Sequence, residues 1–242
     1  MSDVIGAGSG PVAWVALVVV STLDGATRAD GYELARHWVS LLSHGDRGWV
    51  GTLNLATCGA VLLLASVAIH RRSRLLGTGP GVAAAVAVFA TTLVVAAAFP
   101  MDPTPSYPPG AVVPELMSVP ARIHAVAGVL AVGATAGMCL AGRAALHQLG
   151  RDRAARVSGW CATACAGMIS ACSVLAALSP SRSWEAAGAG AFQRGVVVVG
   201  AAWISWYWWS VLRTRPADEP VVDVRPVAPP TRGARDVVRG GR

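Results

Sequence analysis

Residues 50–69 read VGTLNLATCGAVLLLASVAI, without one Asp, Glu, Lys or Arg, and His70-Arg71-Arg72 follows at once. A helix rises about 1.5 Å per residue, so roughly 20 such residues cross a hydrocarbon core of about 30 Å. A charge at the centre of a bilayer costs roughly 2.5–3.5 kcal/mol, which explains why the arginines wait for the end of the stretch. The same reading extends in both directions. Apolar segments fall at 5–23, 80–99, 123–140, 159–178 and 190–212, with the charges gathered between them. Each must be helical, because lipid leaves an unpaired backbone no alternative partner. The expectation is an all-α, polytopic bundle of about six transmembrane helices over 1–212.

The composition agrees. Of 242 residues, 54% are hydrophobic and 14% charged, against about 25% charged in an ordinary soluble domain. The net charge is +7, and every basic residue is Arg. No basic helix is interleaved with exposed aromatics, so a nucleic-acid partner is not expected; the partner is the lipid bilayer. Met1 to Gly10 has no basic residue, so the first segment reads as a retained helix and not as a secretory leader.

An even number of crossings puts both termini on one side, and the arginines say which. Arg71, Arg72, Arg74, Arg143, Arg151, Arg153, Arg156 and seven tail arginines lie on the side of the termini. Arg28, Arg36, Arg47, Arg122, Arg182 and Arg194 lie on the other. The positive-inside rule then predicts a cell-membrane protein with both termini cytoplasmic. Trp49, Trp160 and the run Trp206-Tyr207-Trp208-Trp209 fit an interfacial belt. The proline-rich tail 213–242 reads as disordered and cytoplasmic. Cys58, Cys139, Cys161, Cys165 and Cys172 all fall in apolar segments, where packing is the expected role. Gly133 and Gly137 form a small-xxx-small pair that predicts close helix packing.

Polar residues concentrate on the expected outer side. From Glu33 to His44, at 100° per residue, Leu34, Ala35, Trp38, Val39, Leu41 and Leu42 share one arc. Glu33, Arg36, His37, Ser40, Ser43 and His44 share the other. This predicts a short amphipathic helix at the outer interface, ended by Gly45. Asp46 and Arg47 follow. The second outer loop opens Phe99-Pro100-Met101-Asp102-Pro103, and Arg122 and His124 begin the next span. Arg194 is an ionisable residue one turn inside the last span, which makes it a site candidate.

Imidazoles and carboxylates gathered in one layer could hold a metal or serve as acid and base. On that reading Asp102, His124 and His37 are the catalytic candidates, and Arg36, Ser40, His44, Asp46 and Arg194 the binding candidates. No close-spaced ligand motif such as H-E-x-x-H occurs, and neither metal nor cofactor is named by the sequence. Ser40 lacks the setting of a nucleophile elbow.

The polar motifs also resemble a known family. Gly31-Tyr32, Arg36 to Leu42, Gly48-Trp49, Asn54 and Gly59 form one part. Phe99 to Pro103, Tyr107-Pro108-Pro109-Gly110 and His124 form the second. Together they resemble the bacterial and archaeal multi-helix membrane proteins known as domain of unknown function 998, over about 12–212. The resemblance implies a six-helix prokaryotic membrane protein and transfers no catalytic residue. Three roles stay open: a sensory, structural or assembly protein; a membrane-embedded hydrolase or transferase taking a lipid-linked ligand at the outer face; and a small-solute transporter. The interiors offer Asn54, Thr91, Thr92 and Ser170 but no deep carboxylate, which weighs against ion-coupled transport.

Overall fold

The computed structural model describes residues 2–179 and 183–213; Arg182 and the tail from 214 lie outside them. Six helices are long and apolar enough to cross a membrane. They are α1 (Ser2–Ala26), α2 (Gly48–Leu75), α3 (Gly81–Ala98), α4 (Val119–Gln148), α5 (Asp152–Leu178) and α6 (Ala189–Tyr207), the last continued by a π-helical turn at Trp208–Leu212. Most run past the apolar segments that predict them. α2 continues through Arg71, Arg72 and Arg74, and α4 through Arg143 and His147, because helical hydrogen bonding does not stop where the hydrocarbon does. Among the described residues there is no strand.

Neighbours in sequence pack as neighbours in space from α1 to α6, and α6 closes back onto α1. Trp14 of α1 is the centre of that closure. Its indole stacks on Phe89 of α3 at 4.0 Å between centroids, and its Nε1–H donates to the carbonyl of Val197 in α6 at 3.1 Å. Gly200 makes this possible: a Cβ there would lie 2.7 Å from the Trp14 ring.

The glycines of α4 behave otherwise. A Cβ at Gly128, Gly133 or Gly137 would meet nothing within 4 Å, so the Gly133/Gly137 pair does not pack a helix of this chain. The close approaches fall to Gly59, Gly142, Gly190 and Gly200. Tyr207 likewise leaves the expected aromatic belt for the core, stacked on Trp203 at 4.8 Å, whereas Trp49, Trp160 and Trp209 stay exposed.

One end of the bundle, the basic face, carries the short turns 76–80 and 149–151. Its arginines close the end of the last helix: Arg72 Nε donates to the Leu212 carbonyl at 2.8 Å and Arg151 Nη1 to Ser210 at 2.6 Å. Cations on the final carbonyls of a helix meet the negative end of its dipole. The opposite end, the capped face, carries the connections 27–47, 99–118 and 179–188.

The amphipathic helix expected over 33–44 does not form. A single turn at 34–37 and a 3-10 helix at Val39–Ser43 replace it, separated by Trp38 in an extended conformation. The cause is competition for backbone carbonyls. Those of Leu34 and His37 accept from Arg194, and those of His37 and Trp38 from the Tyr32 hydroxyl; of these only the Trp38 carbonyl also accepts a helical N–H, that of Leu41 at 3.1 Å, in the 3-10 helix. His37, assigned by periodicity to the polar arc, is buried, and Leu41 and Leu42 turn inward onto Tyr32 and Tyr107.

Candidate functional site

The capped face is built around Arg28, two residues beyond the end of α1. Its side chain is 1% exposed. Nε and Nη2 donate to Asp24 Oδ2 at 3.2 and 2.9 Å. Nη2 also reaches the carbonyls of Leu42 and Arg47, and Nη1 the carbonyl of His44 and the hydroxyl of Tyr107. Asp24, on the last turn of α1, answers with its other oxygen to Arg47 Nη2 at 2.8 Å. One buried guanidinium therefore holds the 27–47 connection from within, and Tyr107 ties the 99–118 connection to it. Tyr107 in turn donates to Asp30 Oδ2 at 2.8 Å. Burial, seconded by that bond, pushes its phenol up to about 12.

A second layer centres on His37. The backbone N–H of Glu33 donates to its Nδ1 at 2.8 Å. A backbone amide has no other role available, so in the neutral ring the proton sits on Nε2. Nε2–H donates to Ser106 Oγ at 2.9 Å, and Ser106 donates to Glu185 Oε2 at 2.5 Å. Glu185 Oε1 is buried without a partner among the described residues. Burial holds the His37 imidazole below its ordinary range, against a weaker opposing pull from Glu185.

His37, Ser106 and Glu185 look at first like a nucleophilic triad, but the protons run the wrong way. A general base must accept the hydroxyl proton, and here the imidazole gives one to the hydroxyl. The chain instead fastens three connections to one another.

The rim residues are also engaged. Asp102 accepts the backbone N–H of Ser118 at 2.8 Å, and Ser118 Oγ caps α4 by accepting from Ala121 at 3.2 Å. The Ser118 bonds hold the Asp102 carboxyl below the usual range. His44 Nε2 and His124 Nδ1 each donate at 2.8 Å, to the carbonyls of Met101 and Phe99. Thus His44, Asp102 and His124 all grip the segment 99–102 or its continuation into α4. Among the described residues, no hydrogen bond or ion pair joins Asp102, His124 and His37 to one another. Arg36 pairs only with Glu33, at 3.4 Å on the surface, and Asp46 is exposed. No group of three or more His, Cys, Asp or Glu among the described residues is placed to hold a metal.

Arg194 supplies the third layer. Nη1 donates to Leu34 at 2.6 Å and to His37 at 3.1 Å, and Nη2 to the Tyr32 hydroxyl at 2.6 Å. Its partners are neutral oxygens. Gly190, one turn earlier, lies so close to the His37 carbonyl that no side chain would fit. Beside Arg194, Gln193 Oε1 accepts the Val39 N–H at 2.7 Å. Beneath these residues lies a cavity of about 70 Å³, walled by all helices except α5 and roofed by Val39 and Ser40.

The fold and these polar motifs now stand together. A family model described as "Protein of unknown function (DUF998)" matches residues 11–210. The chain belongs to that family. The match takes in α1 from Pro11, all of α2 to α6 and the connections of the cap, so the cap is built within the family's own stretch of chain. No curated protein and no solved structure matches.

Sequence reasoning named His37, His44, Asp102, His124 and Arg194 as site candidates, held Tyr32 and Tyr107 only as motif residues, and missed Arg28, Ser106 and Gln193. Arg28 had a signal: it follows Asp24 by four residues at the end of a span, the spacing of a helical ion pair. Ser106 and Gln193 had none, since their roles come from partners 69 and 154 residues away.

Proposed function

We propose that this DUF998 protein is a non-catalytic cell-membrane protein with a sensory, structural or assembly role. Both termini are cytoplasmic, and the capped face is the recognition surface on the outer side. One observation carries the reading. The ionisable side chains at the heart of the capped face are occupied in holding it together: Arg28 on five main-chain and side-chain partners, His37 on Ser106, His124 on Phe99, and the half-buried Arg194 on the 34–37 turn. A catalytic site needs groups free to exchange protons with a substrate, held within hydrogen-bond reach of it. The arginine distribution supports the orientation.

The competing reading is a hydrolase or transferase for lipid-linked substrates, with Asp102, His124 and His37 as acid and base. A single set of measurements separates the two. Purified protein is treated with a fluorophosphonate probe and with phospholipid ester and diphosphate-lipid substrates. The expected result is no labelling, and no turnover that Asp102→Asn, His124→Gln or His37→Gln changes. Turnover abolished by Asp102→Asn with the thermal midpoint unaltered would overturn the proposal, because Asn keeps an oxygen for the Ser118 N–H and loses only the carboxylate.

A further inference from the structure

The cavity beneath the cap has two unlike poles. Toward the bundle centre it is walled by Leu17, Leu55, Phe89, Leu93, Ala127 and Ala131. The hydroxyls of Ser21 and Thr92 also line it, but they donate to carbonyls of their own helices, at 2.6 Å to Leu17 and 2.6 Å to Phe89. That wall therefore offers little to a polar group.

Toward the cap it is lined by Arg194, Gln193, Ser40, Thr22 and His124, whose Nδ1–H is spent on the Phe99 carbonyl. Here hydrogen-bond donors are in surplus. Arg194 Nε is buried without an acceptor among the described residues. Gln193 uses its oxygen on Val39, which leaves its amide N–H groups unspent, and the hydroxyls of Ser40 and Thr22 donate to no described residue. The guanidinium has no carboxylate beside it among the described residues, so there this pole carries a positive charge without a counter-charge, at the second turn of a membrane helix. A charge held partly out of water in this way is stabilised by an opposite one.

The cavity also has a way in. Gly128 both lines it and is exposed on α4, and a Cβ there would meet nothing within 4 Å. At this level the surroundings of the bundle are hydrocarbon. The volume of about 70 Å³ is several times the roughly 10–15 Å³ that admits one water.

We propose that this cavity is a binding site for a single-chain anionic amphiphile that enters from the bilayer past Gly128. Its acidic head lies against Arg194, Gln193 and Ser40, and its chain lies over Phe89, Leu93 and Ala131 and leaves beside Gly128. The inference goes beyond the functional reading above and does not depend on it. Catalytic turnover would leave it standing, and a failure to bind would leave the role of the cap untouched.

Purified protein in a maltoside detergent is titrated with oleate, with lysophosphatidylglycerol and with oleyl alcohol, and the thermal midpoint is followed. An anionic ligand is expected to raise the midpoint saturably, while oleyl alcohol, with the same chain and no charge, does not. A Cβ at Gly128 meets nothing within 4 Å, so Gly128→Leu should narrow the entrance with its own midpoint near the parent's while its apparent affinity falls at least tenfold. Arg194→Gln should lose the preference for the charged head. Because Arg194 also holds the 34–37 turn, Gly128→Leu is the decisive variant if Arg194→Gln does not fold. A response to oleate alone identifies a fatty acid as the source of the chemistry, and a response to the lysophospholipid identifies a membrane lipid. No shift with either anion overturns the proposal, as does an equal shift with the alcohol or an undiminished affinity in Gly128→Leu.

Discussion

Arg28 shows how costly a single residue of this cap is to change. Its guanidinium is buried with Asp24, and its removal would leave that buried carboxylate with only the half-exposed Arg47; breaking a buried pair costs up to about 3–5 kcal/mol. Arg28→Leu should therefore lower the thermal midpoint sharply in detergent. Arg36→Leu, which breaks only a surface pair with Glu33, should hardly move it. His37 adds a pH dependence whose sign can be worked out. Its folded-state pKa lies below the ordinary 6.5, so the unfolded chain binds the proton more readily. Its contribution is complete above about 6.5 and is lost as the pH falls toward the folded value. Asp102, also held below its ordinary 3.8, loses its contribution lower down and in the same direction. The cap should loosen as the pH falls below about 6.5, and again above about 10, where the raised Tyr107 phenol loses its contribution as the pH climbs toward about 12, as exchange of the 27–47 amides against pH would reveal. Ser106→Ala should cost about 1–3 kcal/mol by stripping Glu185 and His37 of a shared partner.

At the scale of elements, hydropathy was enough for the helices and not for what joins them. A transmembrane span advertises itself because its surroundings are uniform: any run of about 20 apolar residues meets the same solvent. The 33–44 segment has no such uniform surroundings. Its periodicity would suit a helix on a flat interface, but Arg194 and Tyr32 take its carbonyls, and both act across a distance no local pattern records. Site residues followed the same division. Those adjoining a span, Asp102, His124 and Arg194, stood out as charges at a boundary. Ser106 and Gln193 did not, being ordinary polar residues until the fold supplies their partners. The glycines make the point in reverse. Gly133→Leu should change stability by less than about 0.5 kcal/mol, since nothing lies near it, whereas Gly200→Leu should unseat Trp14 and prevent closure of α6 on α1. Trp14 fluorescence in a background with the other eight tryptophans replaced by phenylalanine would follow the second effect.

For the whole molecule, the two faces differ in how they are finished. The basic face uses tight turns, with arginines closing the last helix, while the capped face uses long connections held by buried polar bonds. The proposed orientation is testable on these terms. With the five native cysteines replaced, Asp46→Cys should react with an impermeant maleimide on intact cells and Arg74→Cys only after lysis. The reverse pattern would invert the topology and place the recognition surface inside. The five-helix wall around the cavity also implies that ligand binding would couple α1, α3, α4 and α6 at once, through the side chains that already meet there.

The bonds from Arg194 to Leu34, His37 and Tyr32 span 157 to 162 residues of chain. During synthesis at about 5–20 residues per second, the 27–47 connection is delivered roughly 8–30 s before the arginine that completes its fold. Arg28 and Asp24 arrive with it and can gather it provisionally, but its 34–37 turn waits for the last helix to insert. In that interval the carbonyls of Leu34 and His37 face water or a biogenesis factor. A chain truncated before α6 would carry the same loop permanently unfinished, in a form a quality-control protease could recognise.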